Sequence, residues 1–275
     1  MAEFALVDGV VASGLPLSDR GFAYGDGVFE TMRAIDGRVP LWPLHLARLH
    51  EGCRRLGLAL PPAPLLLAEI ERAMFDAPAA VLKLVLTRGD GGRGYSPAHP
   101  GTIRRVLMRY PVPPPSAAES GLSLGWCSTR LPRDPQLAGI KHLNRLHQVL
   151  ARAEVDQLGC DEGLCCDDQG HVICATAANV FARIDGQLHT PDVSDCGVAG
   201  VARAALLQDP EFGGTVRIGP LHRDALARAE EIFLSNAVRG VMPVRRLSDR
   251  TLPTGESATH ARAALARRGF TLAGA

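Results

Sequence analysis

The run Ala80-Val-Leu-Lys-Leu-Val-Leu-Thr87 and the loop behind it, Arg88-Gly-Asp-Gly-Gly-Arg-Gly-Tyr-Ser96, decide which fold this chain can adopt. The first half is a short apolar run rich in valine and leucine, and it reads as a strand. The second half formally satisfies G-x-G-x-x-G at Gly89, Gly91 and Gly94. A dinucleotide fingerprint requires a helix to begin there, so that its first amides meet a pyrophosphate. Pro97 and Pro100 stand where that helix would run. The loop therefore leads to an antiparallel return strand, Thr102 to Tyr110, and NAD binding is rejected. It is a tight connection that presents Arg88, Arg93 and Tyr95.

Working outward, residues 3–12 and 28–42 alternate like strands, with a hairpin signal at Ile35-Asp-Gly-Arg38. Pro43 opens a helix with Leu46, Leu49, Cys53 and Leu56 on one face, and a second helix runs from Pro64 to Phe75. Pro111-Val-Pro-Pro-Pro-Ser116 is a stiff linker. Beyond it come a strand at 121–127 and the longest helical pattern, His142 to Leu158, with Leu143, Leu146, Leu150 and Ala153 expected to face inward. Three short strands follow at 163–167, 171–176 and 179–184, then helices near Gly200 and over 256–268. The expected class is α+β, with mainly antiparallel or mixed sheets and flanking helices. The expected organisation is a smaller domain at 1–110, a linker at 111–120 and a larger domain at 121–275.

Composition narrows the function. The chain has 275 residues, 46% hydrophobic and 21% charged, with a net charge of +1. No whole-chain field draws it to nucleic acid or to an anionic membrane. The most apolar stretch, 56–68, is broken by Pro61, Pro62 and Pro64 and is too short to span a bilayer. Glu3 and Asp8 stand where a signal peptide needs positive charge, so a cytoplasmic address is expected. Seven cysteines without a C-x-x-C pair read as buried free thiols, and no metal site is expected. Lys83 and Lys141 are the only lysines, so chemistry that needs a side-chain amine has two candidates.

Lys141 precedes the long helix, a better position for an imine-forming amine than mid-strand Lys83. Gly197-Val-Ala-Gly-Val-Ala-Arg203 joins a glycine turn to a helix start, where unpaired amides suit a phosphate. Ser235-Asn236-Ala237 is a second polar loop at a strand end. With Arg48, these features point to a phosphorylated aldehyde cofactor, pyridoxal 5′-phosphate (PLP). The G-x-S-x-G, P-loop and H-E-x-x-H signatures are absent.

The chain also resembles the class IV (fold type IV) PLP enzymes over essentially its whole length. Asp19-Arg20, Tyr24-Gly-Asp-Gly-Val-Phe-Glu-Thr31 and His45-Leu-Ala-Arg48-Leu look like that family's N-terminal signature. Arg88 to Ser96 and Leu137-Ala-Gly-Ile-Lys-His-Leu-Asn-Arg-Leu146 are similar to the aminodeoxychorismate lyase branch. The resemblance implies that Lys141 holds PLP covalently and moves the proton. It implies that Arg48, the amides of Val201 and Ala202, and Asn236 and Ala237 hold the phosphate. Arg93 and Tyr95 are the expected contacts for substrate carboxylates, and a homodimer is implied. The expected reaction converts 4-amino-4-deoxychorismate to 4-aminobenzoate and pyruvate, a step toward folate. The alternatives are an aminotransferase of D- or branched-chain amino acids and a degenerate, non-catalytic member.

One position departs from the pattern. The stretch Val172-Ile-Cys174-Ala-Thr-Ala-Ala-Asn179-Val-Phe181 has Cys174 where the family carries a glutamate that pairs with the pyridine nitrogen. A thiol cannot match a carboxylate there, so the ring is a weaker electron sink, which counts against transamination more than against elimination.

Overall fold

The computed structural model describes residues 2–92, 94–97, 102–114, 121–253 and 255–271. Arg93 and linker residues 115–120 lie outside the described residues. The chain divides into two compact units, Met1–Pro113 with Ile140–Asn144, and Pro114–Gly139 with Arg145–Ala275.

The first unit contains β1 (Phe4–Val7), β2 (Val10–Val11), α1 (Arg20–Tyr24), β3 (Gly27–Ile35), α2 (Trp42–Leu56), α3 (Ala63–Ala73), β4 (Ala79–Thr87) and β5 (Arg104–Tyr110). Its described strands form an antiparallel sheet in the order β2-β1-β5-β4-β3. Strand alternation sends Val28, Met32, Ala34, Leu82, Leu84, Leu86 and Leu107 to one face, where Leu49 and Cys53 of α2 and Leu66 and Ile70 of α3 complete a core. The opposite face carries the half-buried Phe29, Thr31, Lys83 and Met108. The turn expected at Ile35 forms, with Asp36 and Gly37 at positive φ and Arg38 bonded to Ile35 in both directions. It does not open a hairpin, because the chain enters α2 at Trp42 and β3 pairs with β4 instead.

Ile140–Asn144 falls in the first unit, not with 121–275 as the linker position led one to expect. The cause is backbone pairing: Phe29 N donates to Lys141 O at 2.9 Å, and Leu143 N to Gly27 O at 3.0 Å.

The second unit contains β6 (Leu122–Leu131), α4 (Leu146–Leu158), β7 (Glu162–Asp167), β8 (Val172–Ala175), β9 (Asn179–Ile184), β10 (Gln187–Pro191), α5 (Val201–Leu207), β11 (Val216–Gly219), α6 (Arg223–Leu226), β12 (Glu231–Asn236), β13 (Gly240–Leu247), β14 (Arg250–Thr251) and α7 (Glu256–Arg267). The described strands form one mixed sheet ordered β11-β10-β9-β12-β13-β6-β7-β8, with β14 against β13. Strands β6 and β7 are parallel and α4 crosses between them. One core gathers Leu124, Leu164, Val180, Ile232, Leu234 and Met242. On the other side of β12, Phe181 and Phe233 stack at 4.8 Å, with the Phe212 ring edge-on to both.

Helix α4 corrects the sequence reading twice. It begins at Leu146, not His142, because the preceding residues are extended beside β3. Its inward side chains are Ala151 and Val155, whereas Leu146, Val149 and Leu150 are 68%, 60% and 52% exposed and Ala153 also faces solvent. The helix sits so close to the sheet that a Cβ on Gly163 would come within 2.3 Å of Val155 Cγ2. Only small side chains fit that contact, so the large ones are left outside.

Candidate active site

In the first unit the site is built on β3 and the extended segment beside it. Lys141 is half-buried, and its Nζ lies 4.3 Å from the centroid of the Phe29 ring. Lys83 Nζ lies 5.1 Å from the centroid of the same ring. The two amines of the chain therefore share one aromatic platform, mid-strand Lys83 included. Period-2 alternation explains the arrangement: Phe29 and Thr31, with Lys83 opposite Thr31, point away from the helices.

The core-facing neighbour of Phe29 is Glu30, 1% exposed. Its carboxylate accepts from Arg48 Nε at 2.8 Å and Nη2 at 2.5 Å, and His45 Nδ1 lies 2.6 Å away. Burial alone would raise the Glu30 pKa, but the Arg48 charge and the His45 and Arg48 hydrogen bonds outweigh it and bring it down to about 2. His45 is pushed below its usual range, chiefly by burial and partly by the charges of Arg48 and Lys141, against the pull of Glu30. The result is a fixed carboxylate that orients Arg48 from below. His45 and Arg48 fall one turn of helix apart on α2, which a W-P start at Trp42-Pro43 places against β3.

The glycine loop after β4 is tied to α1. Asp19 caps that helix through Gly21 N and Phe22 N, and it also accepts from Thr87 Oγ1 at 2.8 Å and Arg104 Nη1 at 2.6 Å. Tyr95 meets Tyr24 edge-on at 5.5 Å and is otherwise exposed.

In the second unit, Gly200 is the residue before α5, and Ala204 N donates to its carbonyl at 2.8 Å. The amides of Val201 and Ala202 precede that first intrahelical bond, so the helix does not satisfy them. A Cβ on Gly200 would lie 1.9 Å from Asn179 Oδ1, and Asn179 Nδ2 donates to Val198 O at 3.0 Å. This turn must be bare backbone, which suits a ligand held by amides. Asn236 differs from expectation. Its Nδ2 donates to Ala177 O at 3.3 Å, and its Oδ1 accepts from Val238 N at 3.0 Å and Arg239 N at 2.7 Å. The side chain shapes the Asn236–Arg239 turn that contains Ala237.

Cys174 lies on β8 opposite Cys165, buried among Cys127, Ile173 and Cys196. Burial pushes its thiol up to about 12, so it is neutral. Glu162, the buried acid at the start of the neighbouring strand β7, accepts from Thr176 Oγ1, from Gly163 N at 3.1 Å and from Ala177 N at 3.3 Å. Its oxygens are committed to the turn between β8 and β9. Among the described residues, no group of acids, histidines and cysteines is placed to hold a metal ion, and no helix is long and apolar enough to cross a membrane.

The donor set of each unit fits PLP: an amine over β3 and a half-buried arginine oriented by Glu30 of the same strand in one, and a bare-backbone turn with open amides in the other. Comparison with known proteins agrees. Residues 27–247 match the family described as Amino-transferase class IV. The chain is 35% identical over 245 residues to the aminodeoxychorismate lyase of Vibrio harveyi, covering 88% of this chain and 90% of that one. It is 30% identical to a putative branched-chain-amino-acid aminotransferase of Methanocaldococcus jannaschii, covering 85% and 83%. The crystal structure of 4-amino-4-deoxychorismate lyase from Pseudomonas aeruginosa superposes with a TM-score of 0.89 at 43% identity, covering 96% of this chain and 98% of that one. An α+β fold with a half-buried amine on β3's aromatic platform, matched by these relatives across most of its length, belongs to the class IV aminotransferase family.

Proposed function

We propose that this chain is a PLP-dependent lyase that converts 4-amino-4-deoxychorismate to 4-aminobenzoate and pyruvate. The observation that carries the proposal is Lys141 Nζ over Phe29, the neighbour on β3 of the Glu30 that orients Arg48. Similarity to lyases of that name at 35% and 43% identity supports the substrate.

The cofactor is PLP, and when bound it withdraws electrons from the carbon that carries the substrate amine. Lys141 is the residue that attaches it. Arg48, the amides of Val201 and Ala202, and the turn at Asn236 and Ala237 are assigned to its phosphate, with Cys174 at its ring nitrogen. Lys141 Nζ, once free, takes the proton from the amine-bearing ring carbon. The same nitrogen returns a proton to the departing enolpyruvyl oxygen. The C–O bond breaks, the carbocycle becomes aromatic, and enolpyruvate tautomerises to pyruvate. Lys83 has no carboxylate partner among the described residues, which suits it to a substrate carboxylate. Tyr95, and Arg93 beside it in sequence, are assigned to the substrate as well.

A neutral Cys174 favours elimination over amine transfer, because only elimination gains the stability of an aromatic product. Similarity to aminotransferases keeps amine transfer as the second reading. The exposed Leu146, Val149 and Leu150 stripe on α4 supports a second copy of this chain as partner, in keeping with the homodimer expected of the family. A cytoplasmic setting completes the reading.

The test is purified protein with aminodeoxychorismate, assaying 4-aminobenzoate and pyruvate together. Equimolar release is expected, and Lys141→Ala abolishes both the release and the visible absorbance of bound cofactor. Loss of amine to a 2-oxo acid without 4-aminobenzoate favours the aminotransferase. Protein without bound PLP points to a non-catalytic member.

A further inference from the structure

The glycine loop after β4 rests on a buried arginine. Arg20 sits in the five-residue helix α1 and is only 4% exposed, a rare state for a cation without partners. Its partners are specific. Nε donates to Asp26 Oδ2 at 2.9 Å, Nη1 to the carbonyl of Gly94 at 2.9 Å, and Nη2 to the carbonyl of Tyr95 at 3.1 Å. Asp26 is held from the other side by Arg88, Nε at 2.8 Å and Nη2 at 3.1 Å. Arg88 in turn donates to the carbonyls of Leu56 and Gly57, which close α2.

The same guanidinium lies over the Tyr24 ring, 4.9 Å from its centroid. Tyr24 receives Gly94 N on its hydroxyl at 3.2 Å and packs edge-on against Tyr95. The loop approaches at backbone contact, since a Cβ on Gly91 would lie 2.4 Å from Arg20 Cδ. That contact explains the glycine at 91, while Gly89 and Gly94 adopt positive φ. If Arg20 served α1 alone, the ion pair to Asp26 would satisfy it. The two carbonyl bonds and the tyrosine pair reach the loop instead, and they hold in place a residue that is 86% exposed, Tyr95.

We infer that Arg20 is a positioning residue for substrate recognition: it pre-orders the Gly94–Tyr95 end of the loop so that Tyr95 is presented before the substrate arrives. Charge-assisted bonds to two successive carbonyls remove freedom that binding would otherwise have to remove. The inference rests on the lyase reading for the identity of the substrate, and on geometry alone for the ordering of the loop.

The experiment compares the wild type with Arg20→Met, Arg20→Lys and Gly91→Ala as PLP-loaded enzymes. It measures KM and kcat for 4-aminobenzoate release, the dissociation constant of PLP, and amide hydrogen exchange at residues 94–96. For Arg20→Met the expected result is KM raised about tenfold, kcat within about twofold, PLP affinity unchanged and exchange at least about tenfold faster. Arg20→Lys recovers part of the KM, and Gly91→Ala gives the same pattern without removing a charge. A fall in kcat and PLP affinity at constant KM, or unaltered exchange, overturns the inference. A wild type that binds PLP but releases no 4-aminobenzoate overturns the substrate reading instead, and the exchange measurement then decides the positioning role on its own. Should Arg20→Met fail to fold, Gly91→Ala with unchanged KM and exchange overturns it.

Discussion

Arg48 and Glu30 meet through two nearly parallel hydrogen bonds inside the first unit, and His45 closes the same carboxylate from a third side. A buried carboxylate with these partners has a definite acid limb. The Glu30 pKa is about 2 when folded, against an ordinary 4.5. Its stabilising contribution is present above the ordinary value and is lost as pH falls through the folded one. The expected loss is about 3 kcal/mol. His45, whose pKa is lowered by burial, adds in the same direction as pH falls below its ordinary 6.5. Urea unfolding measured from about pH 7 down to about pH 3 should show this decline. Glu30→Gln should lose about 3 kcal/mol at neutral pH and flatten the acid limb.

Gly200→Ala should lower PLP affinity at least about tenfold, because the new methyl collides with Asn179 Oδ1 and forces the turn open. Gly214→Ala is the control, since nothing lies within 4 Å of a Cβ there. Cofactor titration followed by absorbance reads both.

The exposed face of α4 makes a different prediction. Replacing Leu146 and Leu150 together by Glu should shift sedimentation from dimer to monomer at micromolar concentration. The fold should survive, because both side chains already face solvent and the helix is seated through Ala151 and Val155. A dimer that persists would move the contact to another surface.

Cys174→Glu tests the place proposed for this thiol at the cofactor ring. The expected outcome is faster amine transfer to a 2-oxo acid, with a smaller share of turnovers ending in 4-aminobenzoate. An unchanged partition between the two reactions, measured by product analysis, would remove Cys174 from contact with the cofactor. In the native enzyme Cys174 should resist thiol reagents, being buried and pushed up to about 12, whereas the partly exposed Cys160 reacts first.

Local pattern carried a reader far in this chain. The strand at Ala80, the helix opened by Pro43 and the rejection of a dinucleotide loop all follow from features within a dozen residues, and β4, α2 and β5 stand where those features place them. The failures come from long-range competition. His142 and Leu143 have helical spacing, but their backbone is taken by β3, over a hundred residues upstream. The stripe at Leu146, Leu150 and Ala153 looks like a core face until the contact of Val155 with Gly163 sets how close the helix sits. Lys141 and Arg48 stand out in the sequence by residue type and motif. Glu30 beneath Arg48 and Arg20 beneath the loop were not, because each matters through partners that only folding brings near. One arginine among twenty-eight carries no signal of its own in a one-dimensional reading.

The pairing of residues 140–144 with β3 has a consequence for synthesis. β3 ends the order of the first sheet, so its outer row of amides and carbonyls has no strand of residues 1–113 to meet. A ribosome must extend the chain well beyond the first unit before that border can be sealed. Until then a growing polypeptide offers a sticky ribbon to any neighbour, and a fragment cut at Pro113 should clump where the whole chain stays dispersed.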